Sequence, residues 1–275
     1  MVKEIGARIR LNDGNAIPCF GFGCYNGFGP EMVRAVRTAL EYGYRYLDSA
    51  AMYRNEKEVG EGLKESGIAR EECFLLSKVW PTDFQDVEAA LLRSLRDLKT
   101  EYLDAFLLHW PGQDESVRLR AYEQALRAQE KGLFRTLGVS NFYQNHLEEI
   151  RRAFGSFPAV NELELHPYFQ QRELSEFHRR SGIALVAYSP LARGECLNEP
   201  ALQALSERYG KSTGQIVLRW QLQKGQIPIP KSIRPERIGE NGDVFGFRLT
   251  EEEMAAVDAL ERGGRLGNHP DRFPV

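Results

Sequence analysis

Four side chains of this chain together offer an acid, a phenol, an amine and an imidazole: Asp48, Tyr53, Lys78 and His109. Each stands at, or just beyond, the end of an apolar run. Asp48 closes Tyr44-Arg45-Tyr46-Leu47, and Tyr53 follows shortly after. Lys78 closes Phe74-Leu75-Leu76-Ser77, and His109 closes Leu103 to Leu108. Gathered at one mouth, they suit the protonation of an oxygen on which negative charge develops. A free tyrosine titrates near pH ~10, so it is a weak acid at neutral pH. One ammonium about 4 Å away, at an effective dielectric of about 20, supplies about 4 kcal/mol. That matches a downward shift of about three pKa units. The expectation is that Lys78 lowers the Tyr53 pKa, while Asp48 opposes this shift but keeps Lys78 charged and fixed. His109 would orient a substrate oxygen. Singly, each residue has a structural reading: an internal ion pair, a packing tyrosine, a satisfied core histidine. The functional reading rests on all four recurring at strand ends.

The elements that would position them alternate. Arg8 to Phe20 reads as two short strands around Asn12-Asp13-Gly14-Asn15, a hairpin signal. About eight strand–helix units then follow, from Gly21–Cys24 with its helix to Ile227–Pro230 with a short helix from Pro235. A last helix spans Glu251 to Glu261, with Thr250 and Glu253 placed as a capping box. The strands are short and largely apolar, as in a parallel sheet buried on both faces. Eight units without a Pro/Ser-rich linker predict an α/β fold, a closed (β/α)₈ barrel with an N-terminal hairpin and a short tail, over residues 1–275 as one domain. In such barrels the chemistry sits at the C-terminal strand ends. Gly21-Phe22-Gly23 is not a dinucleotide fingerprint, because Asn26 stands where Gly-x-Gly-x-x-Gly needs its last glycine.

Composition narrows the class. The 275 residues are 42% hydrophobic and 27% charged with net charge −3, which gives no sign of a nucleic-acid or membrane partner. Met1 to Gly6 lacks an apolar signal core, and Cys19, Cys24, Cys73 and Cys196 show no metal-type spacing. Four reduced thiols in a cytoplasmic protein is the plain reading. Lys231, Ser232, Arg234 and Arg237 cluster after a buried strand, and on a net-acidic chain they read as a local anion site.

The chain resembles the aldo-keto reductase family over almost its entire length. The resemblance lies in Tyr44 to Glu56, Ser77-Lys78-Val79-Trp80, Leu107 to Pro111, Gly138-Val139-Ser140-Asn141-Phe142, Val160 to Tyr168, Ala187 to Leu191 and Ile229 to Arg237. It implies a barrel that binds NADPH without a Rossmann motif and transfers hydride to a carbonyl carbon. Tyr53 would be the general acid, Lys78 its modulator, Asp48 the anchor of Lys78, and His109 the residue orienting the carbonyl. The nicotinamide contacts map onto Ser140, Asn141, Glu162 and Tyr188. Further cofactor contacts map onto Ser189, Leu191, Lys231, Ser232, Ile233, Arg234, Arg237 and Asn241. A 2′-phosphate is the natural occupant of the basic cluster, which favours NADPH over NADH.

Some positions depart from the family pattern, which commonly has glutamine at Glu162 and glycine at Arg54. Tyr46 would add a ring near the mouth. The short loops and the tail Arg265 to Asp271 are similar to the bacterial 2,5-diketo-gluconate reductase branch. Short loops imply an open site with Tyr25, Trp80 and Trp110 as flat walls beside His109. The expected substrates are small aldehydes, α-dicarbonyls or keto-sugars, handled by a monomer. The alternatives are a non-catalytic cofactor sensor on the same barrel and a divalent-metal enzyme, for which no convergent ligand set is visible.

Overall fold

The computed structural model of the chain describes residues 4–273. Met1-Val2-Lys3, part of the stretch read for a signal core, lies outside the described residues. The hairpin comes first, as β1 (Arg8–Arg10) and β2 (Ala16–Pro18), paired antiparallel. Eight strands then form one parallel sheet in chain order. These are β3 (Phe22–Gly23), β4 (Tyr46–Asp48), β5 (Phe74–Val79), β6 (Leu103–Leu108), β7 (Phe134–Ser140), β8 (Val160–Glu164), β9 (Ala184–Tyr188) and β10 (Ile227–Pro228). The backbone amides of Gly21 and Gly23 donate to the carbonyls of Pro228 and Pro230 at 3.1 Å each, joining the first strand to the last. Gly23 is required at this seam, because a Cβ there would lie 2.7 Å from the Ile229 carbonyl oxygen. The glycines that mimic a dinucleotide motif therefore serve closure of the barrel.

Helices fill the crossovers, as α1 (Gly29–Glu41), α2 (Glu56–Ser66), α3 (Val87–Asp97), α4 (Glu115–Glu130), α5 (Gln144–Phe154), α6 (Arg172–Ser181), α7 (Pro200–Tyr209) and α8 (Thr213–Gln223), and two more follow the last strand, α9 (Pro235–Gly242) and α10 (Glu251–Asp258). Asp86 and Asp114 cap α3 and α4 by accepting from the amides of Ala89 and Val117. The capping box on α10 forms as predicted. That helix ends earlier than its apolar pattern suggests. The Asp258 carbonyl is taken by the side chains of Gln170 and Arg172, and the Arg262 amide turns to the Tyr168 carbonyl. Among the described residues no helix is long and apolar enough to cross a membrane.

Strand alternation decides which side chains reach the barrel interior. On β5, Phe74 and Leu76 join the inner core, while Leu75 and Val79 pack outward under the helices. On β4, Tyr46 points in and Leu47 out. On β6, Ala105 and Leu107 point in and Leu108 out, and on β8 Val160 points in. Two residues on from these inner positions stand Asp48, Lys78, His109 and Glu162. Leu11 and Ile17 of the hairpin belong to the same inner core, which carries the polar residues on an apolar plug.

Candidate active site

Lys78 lies at the centre of the barrel mouth and is 0% exposed. Its Nζ donates to Asp48 Oδ1 at 2.5 Å, to the Ser49 carbonyl at 3.1 Å and to the Tyr53 hydroxyl at 3.2 Å. An ammonium has three protons, so these bonds use its full capacity. Glu162 Oε2 lies 3.1 Å from the same nitrogen. It makes an ionic contact there but accepts no hydrogen bond. Tyr53 ends a single 3₁₀ turn, Ala51–Tyr53, and Arg54 follows at φ 56°, exposed and left-handed. That backbone is one that glycine adopts at less cost than arginine.

Tyr46 does not line the mouth as expected. It is fully buried below the site, and its hydroxyl donates to Asp48 Oδ2 at 2.8 Å. Asp48 is thus held from both oxygens, by Lys78 on one side and Tyr46 on the other.

The electrostatics revise one expectation. Burial raises the Tyr53 pKa above that of free tyrosine; Lys78 lowers it, but Glu162 and Asp48 push it up again, and the balance is upward. Desolvation outweighs the attraction of Lys78 for a phenolate, so the expected lowering is not realised. Tyr53 is therefore fully protonated at neutral pH. Lys78 is held charged because Asp48 and Glu162 outweigh its burial. His109 titrates well below the ordinary histidine range, from burial and then from Lys78, and so is neutral. Burial and the Asp48 charge push Glu162 up to about 8, against the lowering effect of Lys78.

The rings form a wall. His109 lies 5.6 Å from the Tyr53 ring and 5.1 Å from Trp80, edge-on to both. Tyr25, 57% exposed, sits 5.1 Å from Tyr53 at the rim. Trp110 is buried, with its ring 6.5 Å from Trp80. The expected openness is reduced by the chain's own tail. Phe273 packs 4.7 Å from Trp110 and 5.9 Å from Trp80, and its carbonyl accepts from Gln113. The tail is anchored where Glu164 accepts the amides of Leu266 and Gly267 and also contacts His166. Sequence reasoning missed Phe273 and Glu164, because nothing local signals a contact made only by folding the chain's end back across the mouth.

Beside Glu162, β7 pairs with β8 so that Ser140 stands opposite Glu162. Ser140 Oγ donates to the Glu162 carbonyl, and Asn141 donates to the His109 carbonyl and to Ser140 Oγ. Tyr188 donates to Asn141 Oδ1 at 2.9 Å. Ser189, at φ 49°, and Leu191 lie on the turn that follows.

The basic run lies at the seam between the first and last strands. Lys231 donates to the Asn26 carbonyl, and Ser232 Oγ accepts from the Arg234 amide ahead of α9. Ile233 is exposed beside Gly27, and Asn241 is buried on α9. Arg234 and Arg237 are exposed, with no side-chain partner among the described residues. The predicted residues thus occupy one end of the barrel, in a buried group and an exposed group.

The model of the aldo/keto reductase family matches residues 29–262. This chain belongs to the aldo/keto reductase family. It is 43% identical over 280 residues to a glyoxal reductase of Bacillus subtilis, covering 99% of either chain. It is 40% identical over 267 residues to methylglyoxal reductase DkgA of Escherichia coli, covering 96% of this chain and 97% of the relative. A crystal structure of a Bombyx mori aldo-keto reductase in complex with NADP superposes with TM-score 0.89 at 34% identity, covering 98% of this chain and 96% of that one. The barrel and the bacterial branch inferred from the motifs agree with these relatives.

Proposed function

We propose that this aldo/keto reductase family member reduces small aldehydes and α-dicarbonyls to alcohols with NADPH, using Tyr53 as the proton donor. The observation that carries the reading is the contact of Tyr53 with a lysine whose charge is secured by a buried carboxylate. Bound NADPH would supply the hydride. Tyr53 gives its proton to the carbonyl oxygen. Lys78, 3.2 Å from that hydroxyl, stabilises the negative charge left on it. Asp48 fixes Lys78, and Tyr46 fixes Asp48. Neutral His109 presents one N–H to the carbonyl oxygen and orients it.

The residues fit the cofactor on their own terms. Glu162 Oε2 is a buried acceptor without a hydrogen bond, beside Ser140, Asn141 and Tyr188. Arg234 and Arg237 are guanidiniums with no partner among the described residues, close in sequence to Lys231 and Ser232, a donor set suited to a phosphate. Ser189, Leu191, Ile233 and Asn241 complete the proposed cofactor contacts. Tyr25, Trp80 and Trp110, with Phe273, offer a small substrate an aromatic wall of mutually tilted rings, in which Trp110 is buried. Glyoxal and methylglyoxal are the substrates to try first, in keeping with the names of the two bacterial relatives, and keto-sugars come next. A single domain over residues 1–275, a monomer and a cytoplasmic setting belong to the same proposal; the four cysteines are buried free thiols, as suits a reducing compartment.

The test is consumption of NADPH on adding methylglyoxal, compared with NADH at equal low concentration. Turnover with a clear preference for NADPH supports the reading. Tight cofactor binding without turnover over a wide aldehyde panel would favour a non-catalytic cofactor sensor instead.

A further inference from the structure

Glu162 is the charge in the site that the proton-donating chemistry does not need. Asp48 already gives Lys78 its carboxylate, so Glu162 sets a second acid against one ammonium inside the barrel. It is 1% exposed, and its Oε2 accepts no hydrogen bond although Lys78 Nζ is 3.1 Å away, because the ammonium protons are committed elsewhere. The groups facing it are Asp48 and Tyr46 from β4, Tyr53 from the turn after β4, Lys78 from β5 and Tyr188 from β9. Lys78 alone among these is cationic. With both carboxylates ionised the cluster has a negative excess and an oxygen in need of a partner.

We propose that Glu162 determines which oxidation state of the nicotinamide cofactor the protein prefers. Protonated, it is a neutral donor and acceptor that serves both forms alike; ionised, it favours the oxidised form. The inference rests on the NADP(H) reading above. A protonated carboxyl has one O–H donor and a carbonyl acceptor, the same pair that a side-chain amide offers. The ionised group only accepts, and it places a negative charge beside a ring that is cationic when oxidised and neutral when reduced. The attraction is therefore felt by one form alone, in a site where charges are poorly screened. Burial and Asp48 set the exchange of the two Glu162 states at about pH 8, within reach of a binding experiment.

The test is the pair of dissociation constants for NADP⁺ and NADPH, measured by fluorescence titration at about pH 6.5 and about pH 9.5, on either side of the Glu162 transition. Phosphate charges are common to both forms and cancel in the ratio. For the wild-type protein, Kd(NADP⁺)/Kd(NADPH) should fall about tenfold on going to the higher pH. In Glu162→Gln, which keeps the shape and the donor–acceptor pair but cannot ionise, the ratio should stay constant. A wild-type ratio that does not move with pH overturns the proposal without recourse to any variant. An equal fall in Glu162→Gln overturns it too, by assigning the effect to another group. If neither form binds at either pH, the cofactor reading itself is lost and the inference goes with it. A constant ratio with tight binding removes only the role of Glu162.

Discussion

The two charged groups at the mouth of this barrel are built on opposite plans. Around Lys78 the charges are buried, mutually paired and almost fully hydrogen-bonded. Around Arg234 and Arg237 the charges are exposed and have no partner among the described residues. A buried charge without a partner is strongly destabilising, so the inner group must be neutralised by the protein itself. An exposed charge costs little to leave unpaired, so the outer group can wait for a ligand. The inner group should accordingly govern chemistry, pH response and stability. The outer group should govern cofactor choice and salt response.

Breaking the inner group should have the larger effects. Lys78→Met leaves Asp48 and Glu162 facing each other without a cation. Most turnover should vanish, and denaturant unfolding should show a loss of about 3–5 kcal/mol. NADPH titration should still find a binding site. If this variant keeps wild-type stability, the buried carboxylates are not relying on Lys78.

The pH dependence of stability has a definite sign. The Glu162 pKa is raised in the folded protein to about 8 from an ordinary value of 4.5. Between those values the folded state holds a proton that the unfolded state has released, so this group makes stability fall as pH rises from 4.5 to about 8. Glu162→Gln should flatten that decline by about 2–4 kcal/mol, as read from unfolding midpoints at several pH values. Parallel wild-type and variant profiles would show that Glu162 does not carry the raised pKa.

The outer group should respond differently. The double substitution Arg234→Ala and Arg237→Ala should weaken NADPH binding by about tenfold to hundredfold with little change for NADH. The remaining NADPH affinity should also depend less on salt. Unfolding midpoints should barely move, since both side chains are exposed. An equal loss for the two cofactors would place these residues away from the 2′-phosphate.

The smallest effect separates support from chemistry. Tyr46→Phe removes the hydroxyl that holds Asp48 from below and should cost about 1 kcal/mol of stability. Its effect on turnover should be well below that of Lys78→Met. A comparable loss of activity would move Tyr46 from the support of Asp48 into the proton-donating group.

The sequence carried the inner group further than the mouth. Asp48, Lys78 and His109 were visible because a polar residue at the end of an apolar strand is conspicuous. Their shared inward direction was not read, because strands buried on both faces hide the alternation that separates Phe74 and Leu76 from Leu75 and Val79. The upward shift of Tyr53 is not legible in sequence, because a pairwise Coulomb sum contains no burial. Tyr46 reads from sequence as a ring near the mouth, whereas its hydroxyl lies beneath Asp48. The seat of Phe273 on Trp110, and the hold of Glu164 on Leu266 and Gly267, depend on contacts far apart in the chain that no local pattern encodes. The spacing of Gly21 and Gly23 speaks against a nucleotide motif, but their use at the barrel seam depends on the last strand, which is remote in sequence.

The central claim is that Tyr53 gives the proton, and the rate of NADPH oxidation by methylglyoxal in Tyr53→Phe tests it most directly. The substitution keeps the ring and removes only the hydroxyl. Turnover should fall by about a hundredfold to ten-thousandfold while NADPH binding stays close to wild type. Wild-type turnover in Tyr53→Phe would contradict the account.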